Sequence, residues 1–134
     1  FVVRRTLELQ AIAHSRPLTD VQSTRMQSAI DATHLARERE DWRAVATHSL
    51  MFHQQIVALK GSPLFDGFFA QVIAQLRLAF CAAPDEQRFQ SPWLERDHEI
   101  YTLLTRNQTQ AASEAMSLYL DDSEHLSPAL FDHP

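Results

Sequence analysis

The chain predicts an all-α fold, an antiparallel bundle of about six helices, and three observations carry that prediction. Glycine is scarce, with 2 in 134 residues, while Ala, Leu, Gln, Arg and Glu are abundant, a mixture that favours helix over sheet. Apolar residues recur at three- and four-residue steps through most of the chain. Short cap-and-stop signals, Thr19, Asp41, Gly61-Ser62-Pro63 and Ser91-Pro92, divide that pattern into helix-sized segments.

The first segment, Phe1 to about His14, carries a loose stripe of Val3, Leu7, Gln10, Ala11 and Ile12. Arg4 and Glu8 stand at i, i+4 and share a face, the spacing of a surface ion pair. Pro17 breaks the chain, and Thr19 can cap a second helix with Asp20 in its first turn. Its expected buried face is Val21, Met26, Ala29, Ile30, Thr33 and Ala36, and it ends in the solvated run Arg37–Glu40.

Asp41 can cap the third helix. Trp42, Val45, Ala46, Ser49, Phe52, His53 and Ile56 share its inward face, so a hydroxyl and an imidazole one turn apart aim at the core. Buried there, each needs a partner, because an unpaired buried polar group costs roughly 1–3 kcal/mol. Gly61 stops this helix, and Ser62-Pro63 starts the fourth with a cap and a proline at its first position. That helix, from Phe65 to Phe80, is apolar on more than one side, which makes it central or half of an interface. Residues 82–90 read as a loop. The fifth helix carries Trp93, Leu94, His98, Tyr101, Leu103 and Leu104 and ends near Asn107; the sixth carries Ala112, Ala115, Met116, Tyr119 and Leu120. The tail beyond Ser127-Pro128 reads as frayed.

Composition narrows function. A net charge of −5 argues against this segment gripping nucleic acid itself. One cysteine, Cys81, gives no disulfide framework and suits a cytoplasmic protein. No apolar run approaches the roughly 18–20 residues that span a bilayer. The first residues lack a signal-peptide core and look like the middle of a helix, as in a piece whose upstream part is missing. No G-x-S-x-G, H-E-x-x-H or phosphate-cradling glycine loop is present, and Asp121-Asp122 diverge on a helix, so an enzyme is not expected.

Several motifs resemble one family. Arg4 with Leu7-Glu8 resembles an opening R-x-x-L-E; Asp41 with Phe52-His53, a D…F-H helix; Gly61-Ser62-Pro63-Leu64, a small-residue stop; His98 in DHEIYTLL, an E-H-x-x-I helix; Ala115-Met116 with Tyr119-Leu120, a closing A-M-x-x-H-L. Together they resemble the C-terminal effector-binding and dimerisation domain, the FCD domain, of FadR-type GntR transcription regulators. The resemblance implies one helical domain over 1–134, an absent winged helix-turn-helix domain upstream that contacts DNA, a homodimer, and a small carboxylate-type effector in the bundle core. It implies a ligand pocket of Arg4, Ser49, His53, His98 and Tyr119. Many members bind a divalent metal through four positions that correspond here to Ser49, His53, His98 and Tyr119. Two of the four depart from metal-ligating types. A metal-free pocket is therefore preferred, with a His53–His98 site completed by water or an effector carboxylate as one alternative. A purely structural dimerisation domain, whose core polar groups satisfy one another, is the other.

Overall fold

The computed structural model describes residues 2–81 and 92–126. Six helices follow in order: α1 (Val2–Ala13), α2 (Asp20–Glu38), α3 (Trp42–Ala58), α4 (Pro63–Cys81), α5 (Trp93–Thr105) and α6 (Thr109–Leu126). No strand occurs among the described residues. The links between α2 and α3, α3 and α4, and α5 and α6 are only a few residues long, which returns each helix beside its predecessor.

Local chemistry sets these boundaries. The Thr19 hydroxyl accepts the Gln22 amide at 3.1 Å while the Gln22 side chain accepts the Thr19 amide at 3.0 Å, a reciprocal capping box that starts α2. The Asp41 carboxylate accepts the Ala44 amide at 3.2 Å and starts α3. Gly61 takes φ +68°, the left-handed turn that ends α3 and that a residue with a Cβ adopts at a cost. The Ser62 hydroxyl then accepts the Phe65 amide at 3.3 Å, and Pro63 opens α4. Pro92 stands at the N-cap of α5 with no side-chain cap bond, while the expected cap at Ser91 and the loop 82–90 lie outside the described residues.

Helix α3 is the hub, packing against α1, α2, α4 and α5, while α6 closes over α1 and α5. Three apolar clusters meet along it. Phe52 and Ile56 join Ile12, Met26, Ile100, Met116 and Leu120 in the largest. Leu50 and Val57 pack with Leu7, Phe69, Ile73 and Leu76 in a second, and Val45 with Ala36 and Leu94 in a third. Each fully buried Leu, Ile or Phe contributes about 1.5–3 kcal/mol. Two expected core residues stay outside: Val3 and Val21 are 51% and 59% exposed, because each lies off the edge of the covered face of its helix. The outer side of α4 is also open. Leu64, Phe68 and Leu78 are 65%, 49% and 74% exposed.

Candidate functional site

Inside this apolar frame lies a buried polar cluster built from four helices. Arg4 and Glu8 come from α1, Ser49 and His53 from α3, Asp97 from α5 and Tyr119 from α6, and all six are buried. On α1 and α3 the i, i+4 spacing stacks two polar side chains one turn apart on the inward face. On α5, Leu94, Asp97, Tyr101 and Leu104 recur at three- and four-residue steps, so the carboxyl of Asp97 points inward with them.

The cluster is one continuous chain of contacts. The Arg4 Nε donates to Glu8 Oε2 at 2.7 Å. The other Glu8 oxygen, Oε1, is hydrogen-bonded to His53 Nδ1. His53 Nε2 lies 2.9 Å from Asp97 Oδ1, and the Ser49 hydroxyl donates to Asp97 Oδ2 at 2.6 Å. The Tyr119 ring packs on His53 with centroids 4.9 Å apart, and the Arg4 guanidinium carbon stands 5.9 Å from the centre of the Tyr119 ring. Among the described residues no buried side-chain nitrogen or oxygen lacks a hydrogen-bond partner.

The electrostatics follow from this order. Burial pushes the His53 imidazole toward the neutral form, but Glu8 and Asp97 on its two sides outweigh burial and raise its pKa to about 9. Burial likewise pushes the Glu8 carboxyl up, yet His53 and Arg4 hold it below the ordinary carboxylate range. Arg4 is raised further despite its burial, chiefly through Glu8. Burial, with Asp97 beside it, lifts the Tyr119 hydroxyl well above its ordinary value, so it stays neutral. The directions favour a charged Arg4 and a charged His53 on either side of an ionised Glu8.

Beside the cluster a cavity of about 20 Å³ opens between Arg4, Ser49, Trp93, Tyr119 and Ser123. That is room for about one water molecule. The larger hollows, about 240 to 460 Å³, are grooves lined by other residues, such as His14, Arg16 and Lys60, or His48, Met51 and Gln55.

The model of the FCD domain family matches residues 1–122. The chain belongs to the FCD domain family. A crystal structure from Rhodococcus sp. RHA1, of a protein assigned to the GntR transcriptional regulators, superposes on this FCD domain with a TM-score of 0.87 and 32% sequence identity. The match covers 93% of this chain and 60% of that one, so this FCD domain spans about three fifths of its relative. No curated protein sequence matches the chain. The FCD domain is a part of transcription regulators and not an enzyme family.

Four of the five side chains expected in the FCD pocket come together: Arg4, Ser49, His53 and Tyr119. His98 does not. It is exposed, and its ring lies 6.3 Å from that of His34 on the outer side of α5. The reason is helical phase: one residue turns the chain about 100°, so the side chain that follows Asp97 leaves the inward face. A signal for this was present. In an E-H-x-x-I pattern the Ile stands three residues after the inward side chain, and Ile100 is three residues after Asp97 but two after His98. Glu8 was also missed as a site residue, since its pairing with Arg4 reads as a surface pair; the pair forms, but both side chains are buried.

These residues do not fit the divalent metal that the resemblance implies for many FCD domains. Both ring nitrogens of His53 face carboxylate oxygens, and the remaining oxygens of Glu8 and Asp97 accept from Arg4 and Ser49. Among the described residues no group of three or more His, Cys, Asp or Glu is arranged to hold a metal ion.

Proposed function

We propose that this FCD domain is the effector-sensing and dimerising part of a GntR-type transcription regulator, with a winged helix-turn-helix segment upstream making the DNA contact. The observation that carries the reading is the FCD family match over residues 1–122, supported by a GntR relative that is longer than this chain and superposes at a TM-score of 0.87. The acidic composition agrees, because the DNA-gripping charge then belongs to another segment. Such a regulator works in the cytoplasm, and no described helix is long and apolar enough to cross a membrane.

A small carboxylate-type metabolite binds at the polar cluster, on the side of Arg4, Ser49 and Tyr119. The 20 Å³ cavity does not admit a metabolite, so binding opens the site among the side chains that line it. The energy linked to that opening is what passes to the DNA-binding segment, and by linkage DNA alters effector affinity by the same factor. Dimerisation uses the outer face of α4, where Leu64, Phe68 and Leu78 leave a row of apolar side chains exposed.

A second reading has an observation of its own in favour. The cluster is closed and self-satisfied, which suits a dimerisation scaffold that binds no ligand. Thermal unfolding with a panel of small carboxylates separates the two. A sensor is stabilised by about 2.7 kcal/mol when the ligand stands at 100 times its Kd. Tyr119→Phe, which keeps the ring and removes the hydroxyl beside the cavity, weakens that stabilisation while the domain stays folded. If no carboxylate shifts the unfolding of the wild type, the scaffold reading replaces the sensor.

A further inference from the structure

We infer that Arg96 is the group that takes the carboxylate of the effector, in exchange for Asp122, while Arg4 keeps Glu8 throughout. This rests on the sensor reading above and deepens it, by naming the anchoring cation and the side of the bundle where the effector is held.

The geometry lies between α5 and α6. Trp93 of α5 and Tyr119 of α6 both line the small cavity beside the cluster, and their ring centroids are 4.9 Å apart. Arg96 stands about one turn along α5 from Trp93. Its guanidinium carbon is 5.3 Å from the centre of the Trp93 ring and 5.4 Å from that of Tyr119. Both distances are within the range at which a ring face attracts a cation. Arg96 Nη1 donates to Asp122 Oδ2 at 2.8 Å. Asp122 stands about one turn along α6 from Tyr119 and next to Ser123, which also lines the cavity. The Arg96–Asp122 pair therefore joins the two helices against the same two rings that line the cavity.

Two guanidiniums thus approach the Tyr119 ring, Arg4 and Arg96. Their partners decide which of them can accept a new carboxylate. Arg4 and Glu8 are both buried, and Glu8 is bonded to His53 as well. Drawing Arg4 away would weaken the pairing of a carboxylate that has no water to turn to, and a stranded buried charge is costly. The Arg96 and Asp122 side chains are 29% and 59% exposed. Asp122 returns to water when displaced, and an exposed pair of this kind holds its members only weakly. Replacing one carboxylate with another leaves Arg96 paired before and after, so no uncompensated charge is created. The planar fork of a guanidinium can grip the incoming carboxylate through two parallel hydrogen bonds. Stacking on Trp93 and Tyr119 holds that fork beside the cavity before the ligand arrives, so less freedom is lost on binding.

The experiment is titration calorimetry with acetate, lactate, succinate, citrate and benzoate, followed by the same titrations of three variants with whichever of these binds the wild type. Arg96→Gln is expected to raise the Kd about tenfold or more, as loss of a charge-assisted contact does. Asp122→Asn removes the competing carboxylate and keeps the cation, and is expected to lower the Kd about two- to fivefold, the strength of an exposed ion pair. Arg37→Gln breaks the exposed pair with Glu95 and removes the same charge elsewhere on the surface, and is expected to leave the Kd unchanged. An unmoved Kd in Arg96→Gln, or a Kd in Asp122→Asn that stays level or rises, overturns the inference while the sensor reading stands. Equal weakening by Arg37→Gln overturns it too, since net charge alone would then explain the loss. Should Arg96→Gln lower the thermal midpoint, the Asp122→Asn result still decides, because damage to the fold does not tighten binding. If none of the five carboxylates binds the wild type, the sensor reading itself fails and the inference falls with it.

Discussion

The polar cluster around His53 and the outer face of α4 invert the usual order of a globular domain. Inside, Arg4, Glu8, His53 and Asp97 bring four ionisable groups out of water, yet every buried polar atom among the described residues has a partner. Outside, Leu64, Phe68 and Leu78 leave apolar surface exposed. The difference teaches where the molecule is complete by itself. Its interior charges pair with one another, whereas its α4 surface is where the proposed partner would add a second apolar surface. A buried ion pair is weak evidence for stability in itself, because desolvation consumes most of the attraction. What it does provide is intolerance: remove one member, and the others are stranded.

The largest predicted effect exploits that intolerance. Glu8→Ala leaves Arg4 and His53 buried beside each other without their shared carboxylate. Urea denaturation is expected to show a loss of about 3–5 kcal/mol, the cost of breaking a buried pair. A loss under about 1 kcal/mol would mean that water reaches the cluster. Next comes the α4 face. Phe68→Glu is expected to raise the dissociation constant of the proposed dimer by about 30-fold or more in sedimentation equilibrium, as loss of an interface anchor worth about 2 kcal/mol does. The same change leaves the stability of the monomer within about 0.5 kcal/mol, since the side chain is half exposed. If the wild type sediments as a monomer at high concentration, the contrast between a finished interior and an unfinished surface fails. The smallest effect is the sharpest control. His98→Ala shifts stability by no more than about 0.5 kcal/mol and leaves any ligand response intact, because His98 is exposed on the far side of α5.

How much of this could be read from the chain depends on the range of the interactions involved. The helices were legible because their signals are local. Thr19 with Gln22, Asp41, and Gly61 followed by Ser62-Pro63 act within a few residues of themselves, and the structure uses each of them at the end of a helix. The inward face of α3 was legible for the same reason: Ser49, Phe52, His53 and Ile56 follow from helical spacing alone. Burial of the Arg4–Glu8 pair was not legible. An i, i+4 ion pair has the same spacing in water as in a core, and only the packing of α3 and α6 over α1 decides between them. The fifth helix failed by a single residue. His98 looked like the partner of His53 by chemical type, yet phase, which Leu94, Tyr101 and Leu104 define, selects Asp97. Where type and phase disagree on a helix, phase decides which group reaches the core. That one-residue difference replaces a second imidazole with a carboxylate, and it turns a possible metal site into a neutral ionic cluster.

The pH dependence of folding stability tests this cluster most directly. The His53 pKa in the folded state, about 9, lies above the ordinary imidazole value of 6.5, so between those values the folded protein holds a proton that the unfolded chain has lost. Its contribution is fully present below about pH 6.5 and is lost as pH rises through about 9. Chemical denaturation across that window is expected to show stability falling with a slope approaching one proton, about 1.4 kcal/mol per pH unit. Stability that stays flat or rises from pH 6.5 to 9 would contradict a protonated His53 between two carboxylates.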